Sequence, residues 1–218
     1  MFTTSSSIFL YGLMPFCVHF TSYWFFVGLF YSIDKKFIYN SDNNQKKYFN
    51  AIKKSLSNQI LYGIPIILLS APYIEFAIKK SINDTFMSSI LKIIVISNLS
   101  NILFYIIHRL LHTKYLYKLI HKVHHEYIIT VSPCALYAHP IEYIIANNLV
   151  FLIPYCLIGT KLNIGLFMII FSSFMTTSAH INQKLLFIDN SHLYHHKKIN
   201  YNFGFGRFID KFFLTNYN

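Results

Sequence analysis

Apolar residues fall into five long runs along this chain. The runs cover residues 8–32, 58–78, 88–107, 143–158 and 162–180. The first carries no formal charge and exceeds the ~20 residues that a helix needs to cross a bilayer. The last two flank a short turn at 159–161 and predict a helical hairpin. The pattern predicts an all-α fold with about three membrane spans plus this hairpin.

The composition supports a membrane location for these runs. Apolar residues make up 54% of the chain and charged residues only 12%, whereas a soluble domain carries roughly 25% charged residues. The net charge is +11, which could indicate nucleic acid or an anionic membrane face. The basic residues lie in short loops between apolar runs, so we expect a membrane and no nucleic acid.

The distribution of basic residues predicts an orientation. We expect the first three runs to cross once each and the hairpin to enter and return. Fifteen Lys and Arg residues then share one side with the histidine-rich segments. Four lysines lie on the other side: Lys79, Lys80, Lys92 and Lys161. Because cytoplasmic loops carry such an excess of basic residues, the histidines should face the cytosol.

The chain has the length of a single domain. We expect residues 1–218 to form one integral membrane domain, in which 1–107 are mainly a membrane anchor and 108–218 the catalytic region. The first run continues without charge to Ile33, which favours a retained anchor over a cleaved signal peptide. The polar stretch at 41–47 is interpreted as a solvated loop.

Histidines are concentrated in the second half of the chain. Of eleven histidines, ten lie between residues 108 and 196. Eight occur in the stretches HRLLH, HKVHH and HLYHH, where offsets of three and four residues place them on one face of a helix. Two more stand singly, and His19 in the first run is interpreted as a packing residue. The ten are His108, His112, His121, His124, His125, His139, His180, His192, His195 and His196.

Neutral imidazole is a ligand for transition metals. A tetrahedral zinc site takes four protein ligands, and ten histidines exceed that number. The set suits two metal ions with five or six ligands each. The sequence therefore predicts a nitrogen-rich centre for two metals in a helical, histidine-rich cap on the cytosolic side.

The three histidine stretches resemble the histidine boxes of the fatty acid hydroxylase and sterol desaturase superfamily of membrane proteins. YAHPIEY and HHKKINYNFGFGRFIDKFF are similar to the sequences around those boxes, and LYAHPIE most resembles C-4 methylsterol oxidases. The resemblance implies two iron ions, with zinc as a possible substitute, at the cytosolic face of the endoplasmic reticulum. It implies an oxidoreductase that uses O2 and electrons from cytochrome b5 or a reductase to oxidise a C–H bond of a sterol methyl or fatty acyl group. It also implies that the ten histidines bind the metal.

Several other residues are candidates for supporting roles. Glu142 and Glu126 lie near the boxes and either could orient a ligating ring through its second nitrogen, although an ordinary interfacial acid is the preferred interpretation of Glu126. Asp210 is interpreted as a cap or a partner of Arg207. Three further polar residues could support ligands, and four aromatic residues could line a lipid slot: Asp189, Asn190 and Asn202, and Phe104, Tyr105, Phe171 and Phe174.

The sequence leaves four alternatives open. A desaturase would use the same centre to remove two hydrogens instead of inserting oxygen. A metal transporter should place its ligands within the spans, whereas these histidines lie beyond the span ends. A decayed homologue or a structural zinc site would also be non-enzymatic, but all eight box histidines are present.

Overall fold

The computed structural model describes residues 4–183 and 191–217. Within these residues the protein is helical, with no β-strand. Four helices are long and apolar enough to cross a membrane, which confirms the prediction of an all-α, multi-span fold. The helices are α1 (Ser5–Ile38), α2 (Asp42–Lys80), α3 (Phe86–Leu111), α4 (Lys114–Leu119), α5 (Pro140–Ile158), α6 (Leu162–Ser178), α7 (Ser191–Lys197) and α8 (Arg207–Phe212), with 3₁₀ turns at His121–Glu126 and Ser132–Leu136.

The first half of α2 departs from the sequence prediction. Residues 42–47 form the first turns of the helix, so the interpretation of 41–47 as a loop is wrong, although most of these side chains are exposed. The Ser41 hydroxyl accepts a hydrogen bond from the backbone N–H of Asn44 at 3.2 Å and caps the helix. Pro65 and Pro72 do not end the helix. A wider π-helical turn at Gln59–Gly63 directly precedes Pro65, and the helix continues there although Pro65 has no backbone N–H to donate.

The predicted hairpin of α5 and α6 is present and turns at residues 159–161. Gly159 adopts φ +72°, and a Cβ atom there would lie 2.3 Å from the carbonyl oxygen of Ala77. Only glycine fits this close approach to α2 without strain. The core between α2, α3 and the hairpin is apolar and includes Ile74, Ile96, Leu152 and Met168.

The histidine-bearing segments gather at one end of the helical bundle. HRLLH ends α3, and HLYHH forms α7, as the helical spacing predicts. HKVHH forms a 3₁₀ turn at His121–Glu126 and not the expected α-helix. The C-terminal segment, with α8, covers the outside of this end through contacts to Tyr105 and Asn101 of α3.

Candidate metal centre

Nine of the ten predicted histidines form two compact groups. Within each group, one ring nitrogen from every histidine lies within 4.8 Å of all the others. Every ring is buried except that of His112, which is half-buried. The five-histidine group contains His108, His112, His121, His125 and His195, and the four-histidine group contains His124, His180, His192 and His196.

The two HxxHH boxes are shared between the groups in opposite ways. In the first box, His121 and His125 join the five-histidine group and His124 joins the four-histidine group. In the second box, His192 and His196 join the four-histidine group and His195 joins the five-histidine group. Each box thus sends its outer pair to one group and its middle histidine to the other, which ties the two groups together through adjacent residues.

The nitrogen separations in the five-histidine group fit a single metal ion. Nε2 of His121 lies 3.1 Å from Nε2 of His108 and 3.1 Å from Nε2 of His125. Nε2 of His195 lies 3.0 Å from Nε2 of His112 and 3.1 Å from Nε2 of His125. Because metal–imidazole bonds such as those to zinc are about 2.0–2.1 Å long, neighbouring ligand nitrogens lie roughly 2.9–3.4 Å apart. The observed separations fall in this range.

The four-histidine group has the same geometry. Nε2 of His180 lies 3.0 Å from Nε2 of His192 and 3.4 Å from Nε2 of His124. Nε2 of His192 lies 3.3 Å from Nε2 of His196. These separations also match adjacent ligands of one ion, so the donor set fits one metal ion in each group.

The second nitrogen of several rings shows where the ring proton lies. Nδ1 of His108 donates to the carbonyl oxygen of Phe203 at 2.7 Å, and Nδ1 of His195 donates to that of Tyr201 at 2.6 Å. In the other group, Nδ1 of His124 and Nδ1 of His180 donate to backbone carbonyls at 3.0 and 2.8 Å. A neutral ring protonated at Nδ1 has an unprotonated Nε2. The Nε2 lone pairs of these four rings therefore face into their groups, an arrangement that a bound cation stabilises.

Burial keeps these histidines neutral. It lowers the pKa of His124 to about 4 and the pKa of His180 to about 3, the latter with a further contribution from the neighbouring His124. Burial and neighbouring imidazoles also hold the pKa values of His121 and His125 well below the ordinary value. Since neutral imidazole is the form that binds metal, both groups are ready to bind metal at neutral pH.

A buried carboxylate supports the five-histidine group. Nδ1 of His121 lies 2.8 Å from Oε1 of Glu142, which is 4% exposed. The other carboxylate oxygen, Oε2, is buried without a hydrogen-bond partner among the described residues. Glu142 is thus in position to orient the His121 ring through its second nitrogen. Glu126 is exposed and accepts a hydrogen bond from the hydroxyl of Tyr137 at 2.7 Å.

The C-terminal segment contains the backbone carbonyls of Phe203 and Tyr201, which accept hydrogen bonds from His108 and His195. Buried Asp210 accepts hydrogen bonds from the backbone N–H groups of Phe203 and Gly204, both at 2.8 Å. It also accepts one from the hydroxyl of Thr215 at 2.7 Å. The sequence suggests only that Asp210 is a cap or a partner of Arg207. It does not reveal this role, because a backbone carbonyl that holds a histidine ring is not visible in the types of the side chains.

One predicted metal ligand, His139, and the predicted supporting residue Asn202 lie elsewhere. The structure does not bring His139 into either group: its Nδ1 accepts a hydrogen bond from the N–H of Ile141 at 3.2 Å and caps α5. Asn202 is buried and donates to the carbonyl of Ser191 at 3.2 Å, at the start of α7. Asp189 and Asn190 lie outside the described residues.

A cavity of about 560 Å³ runs from the histidines into the helical bundle. His108, His121, His124, His180 and His192 line it, so it reaches both groups. Most of the remaining wall is apolar. Two of the four predicted slot aromatics, Phe104 and Phe171, line it. The other two do not: Tyr105 stacks on Phe213, and Phe174 packs against Phe26 and Phe30.

Comparison with known proteins identifies the family of this arrangement. The family described as Fatty acid hydroxylase matches residues 93–215, more than half of the chain. The human fatty acid hydroxylase domain-containing protein 2 is 30% identical over 162 residues, 72% of this chain and 49% of the relative. The very-long-chain aldehyde decarbonylase GL1-11 of Oryza sativa subsp. japonica is 33% identical over 120 residues, 53% of this chain and 43% of the relative.

Methylsterol monooxygenase 2-1 of Arabidopsis thaliana is 33% identical over 102 residues, 41% of this chain and 35% of the relative. The chain spans about half the length, or less, of these curated relatives. No solved structure gives a significant match. The matched region contains all nine grouped histidines, and the chain belongs to the fatty acid hydroxylase family.

Proposed function

We propose that this chain is a membrane-bound lipid oxygenase that holds two iron ions and oxidises a C–H bond of a sterol or fatty acyl lipid with O2. The observation that carries the proposal is the pair of histidine groups, with their Nε2 atoms close together, at the end of an apolar cavity. An apolar cavity that ends at a metal centre suits a hydrocarbon substrate. The names of the relatives, which include a methylsterol monooxygenase, support the same class of reaction.

The chain's residues position the reaction. When bound, the two metals supply the activation of O2, so that C–H becomes C–OH and the second oxygen atom leaves as water, with two electrons and two protons from a donor. The apolar cavity walls exclude water and align the lipid beside His108 and His180. Glu142 and the carbonyls of Tyr201 and Phe203 fix the rings so that Nε2 faces the metal.

We also propose a domain organisation, a membrane orientation and an electron donor for the protein. Residues 1–107 act mainly as the membrane anchor of a single domain, and 108–218 carry the metal centre. The excess of basic residues near the histidines supports a cytosolic orientation, and we place the protein in the endoplasmic reticulum. Electrons come from a separate donor, cytochrome b5 or a reductase.

A desaturase with the same centre is the second candidate, because the cavity brings a hydrocarbon to the metals in either case. Desaturation removes two hydrogens from the lipid, whereas hydroxylation adds one oxygen. A transporter is disfavoured, since the grouped histidines lie at the helix ends and in the following turns and not at the middle of the spans.

Reconstitution with lipid tests the proposal. Purified protein in lipid nanodiscs, loaded with iron and supplied with O2 and a reductase, is incubated with sterol and fatty acyl lipids, and the products are analysed by mass spectrometry. We expect a product heavier by one oxygen, lost in His192→Ala but retained in His139→Ala, whose ring lies outside both groups. A product lighter by two hydrogens indicates the desaturase. Absence of any product from iron-loaded protein with every lipid contradicts the proposal.

A further inference from the structure

The wall of the cavity carries a polar strip on α3, formed by Ser97, Ser100 and Asn101. All three residues line the cavity. Their offsets of zero, three and four residues place them on one face of the helix, and the same face continues through Phe104 to His108. The strip therefore lies on the cavity side of a membrane-spanning helix, where Ser97 is exposed and Ser100 and Asn101 are partly buried.

Three hydrogen-bonding groups of this strip have no protein partner among the described residues: the hydroxyls of Ser97 and Ser100 and the NH2 group of Asn101. The Ser100 hydroxyl is buried and unpartnered among the described residues. Ser97 makes no side-chain hydrogen bond there either, and the Asn101 amide uses only its oxygen, which accepts from the N–H of Phe205 at 2.8 Å. A polar group without a partner is costly in an apolar environment.

Several other polar side chains in the membrane helices are satisfied within the protein. The hydroxyls of Ser70 and Ser172 donate to carbonyls of their own helices at 2.7 and 3.0 Å. Asn98, next to the strip in sequence but absent from the cavity wall, donates to the carbonyl of Ile94 at 2.8 Å. Asn147, Thr176 and Oε2 of Glu142 on the cavity wall also lack side-chain partners within the described part of the chain, but they are spread over two helices. On the strip, by contrast, three free groups share one face of α3.

We propose that the strip binds the polar group of the substrate, a lipid with a hydroxyl within its buried portion. This inference rests on the proposed function and narrows its substrate class. At 1.5 Å rise per residue, Asn101 and Ser97 lie roughly 10–16 Å along α3 from His108. The hydroxyl of the substrate therefore lies roughly 10–16 Å from the carbon that reacts. An unsubstituted hydrocarbon chain leaves the strip unpaired and binds less well.

Two kinds of lipid provide this chemistry, and a binding experiment separates them. Metal-free protein in nanodiscs is titrated with two matched pairs: cholestanol against cholestane, and hexadecan-1-ol against hexadecane. We expect the hydroxylated member of one pair to bind about 3–10-fold more tightly, the effect of about one hydrogen bond. The pair that shows the preference identifies a ring or a straight-chain substrate.

The variant Ser97→Ala, Ser100→Ala tests the strip itself. Alanine favours the helix more than serine, so the variant should fold, and Asn101 keeps its bond to Phe205. We expect the variant to lose the preference for the alcohol while its affinity for the hydrocarbon stays the same. The control Ser172→Ala alters a cavity hydroxyl that is already bonded to Ile169 and should keep the preference.

Two results would overturn the inference: an equal affinity of the native protein for alcohol and hydrocarbon in both pairs, or a preference that survives in the strip variant. Because the protein is metal-free in this experiment, either result leaves the oxygenase proposal intact. Failure of the oxygenase assay likewise leaves the binding result intact.

Discussion

Glu142 accepts a hydrogen bond from Nδ1 of His121, with 2.8 Å between Oε1 and Nδ1, although the two residues are 21 positions apart. The carboxylate sits in the first turn of α5 and the ring in the 3₁₀ turn after α4. A carboxylate behind a ligating imidazole fixes its tautomer and raises its basicity. The start of a membrane helix is thereby linked directly to the metal centre.

Replacing Glu142 tests this link. We expect Glu142→Ala to weaken metal binding by about 10–100-fold, the usual effect of losing such a support, because the His121 ring is no longer held. Glu142→Gln keeps an oxygen acceptor and should recover part of the affinity. Affinity is measured by competition with a chromogenic chelator. Glu126→Ala, in an exposed carboxylate bonded to Tyr137, is the matched control and should bind metal normally. Equal affinities for Glu142→Ala and Glu126→Ala would exclude the role.

Asp210 should support both stability and the five-histidine group. Asp210→Ala leaves the N–H groups of Phe203 and Gly204 buried without a partner, at about 1–3 kcal/mol for each unsatisfied group. We expect a lower Tm and weaker metal binding, because the Phe203 carbonyl that holds His108 shifts. Thermal unfolding and chelator competition measure the two effects. Lys211→Ala, in the next and exposed position, should change neither. Unchanged metal binding in a folded Asp210→Ala protein would show that the loop is not needed to hold His108.

Gly159→Ala should destabilise the hairpin. The backbone at Gly159 has φ +72°, which costs a non-glycine residue about 1–3 kcal/mol, and the new Cβ would clash with the Ala77 carbonyl. The matched control is Gly28→Ala within α1, where a Cβ meets nothing within 4 Å. That change should stabilise the helix by about 0.5–1 kcal/mol. Thermal unfolding in detergent measures both. If Gly159→Ala is as stable as Gly28→Ala, the backbone at Gly159 does not make the tight turn against α2 that the structure shows.

The sequence predicts the spans and the clustering of the histidines better than the connections between these elements. Long apolar runs determine α1, α3 and the hairpin, because few soluble structures tolerate them. The polar residues 42–47 lack that signal, and only the Ser41 cap shows that the helix begins there. The histidine spacing indicates a metal centre. It also predicts that all histidines of one box lie on the same helix face, which the structure does not show for HKVHH.

The distribution of the boxes between two groups depends on tertiary packing. HKVHH forms a 3₁₀ turn in which His124 faces a different group from its neighbours. The backbone carbonyls that hold His108 and His195 cannot be read from side-chain types. His139 illustrates the converse: its residue type suggests a ligand, whereas its position at the start of α5 makes it a helix cap. Residue type therefore predicts the metal centre, and packing decides which residues form it.

The metal content of two adjacent variants tests the central claim most directly. His124 and His125 are neighbours in sequence but belong to different groups. We expect about two metal ions per native chain by elemental analysis, from one ion for each group. His124→Ala should weaken the site formed with His180, and His125→Ala the site formed with His195, each leaving about one ion. His139→Ala should retain both. No metal in the native protein, or two ions retained in both variants, would contradict a two-site metal centre.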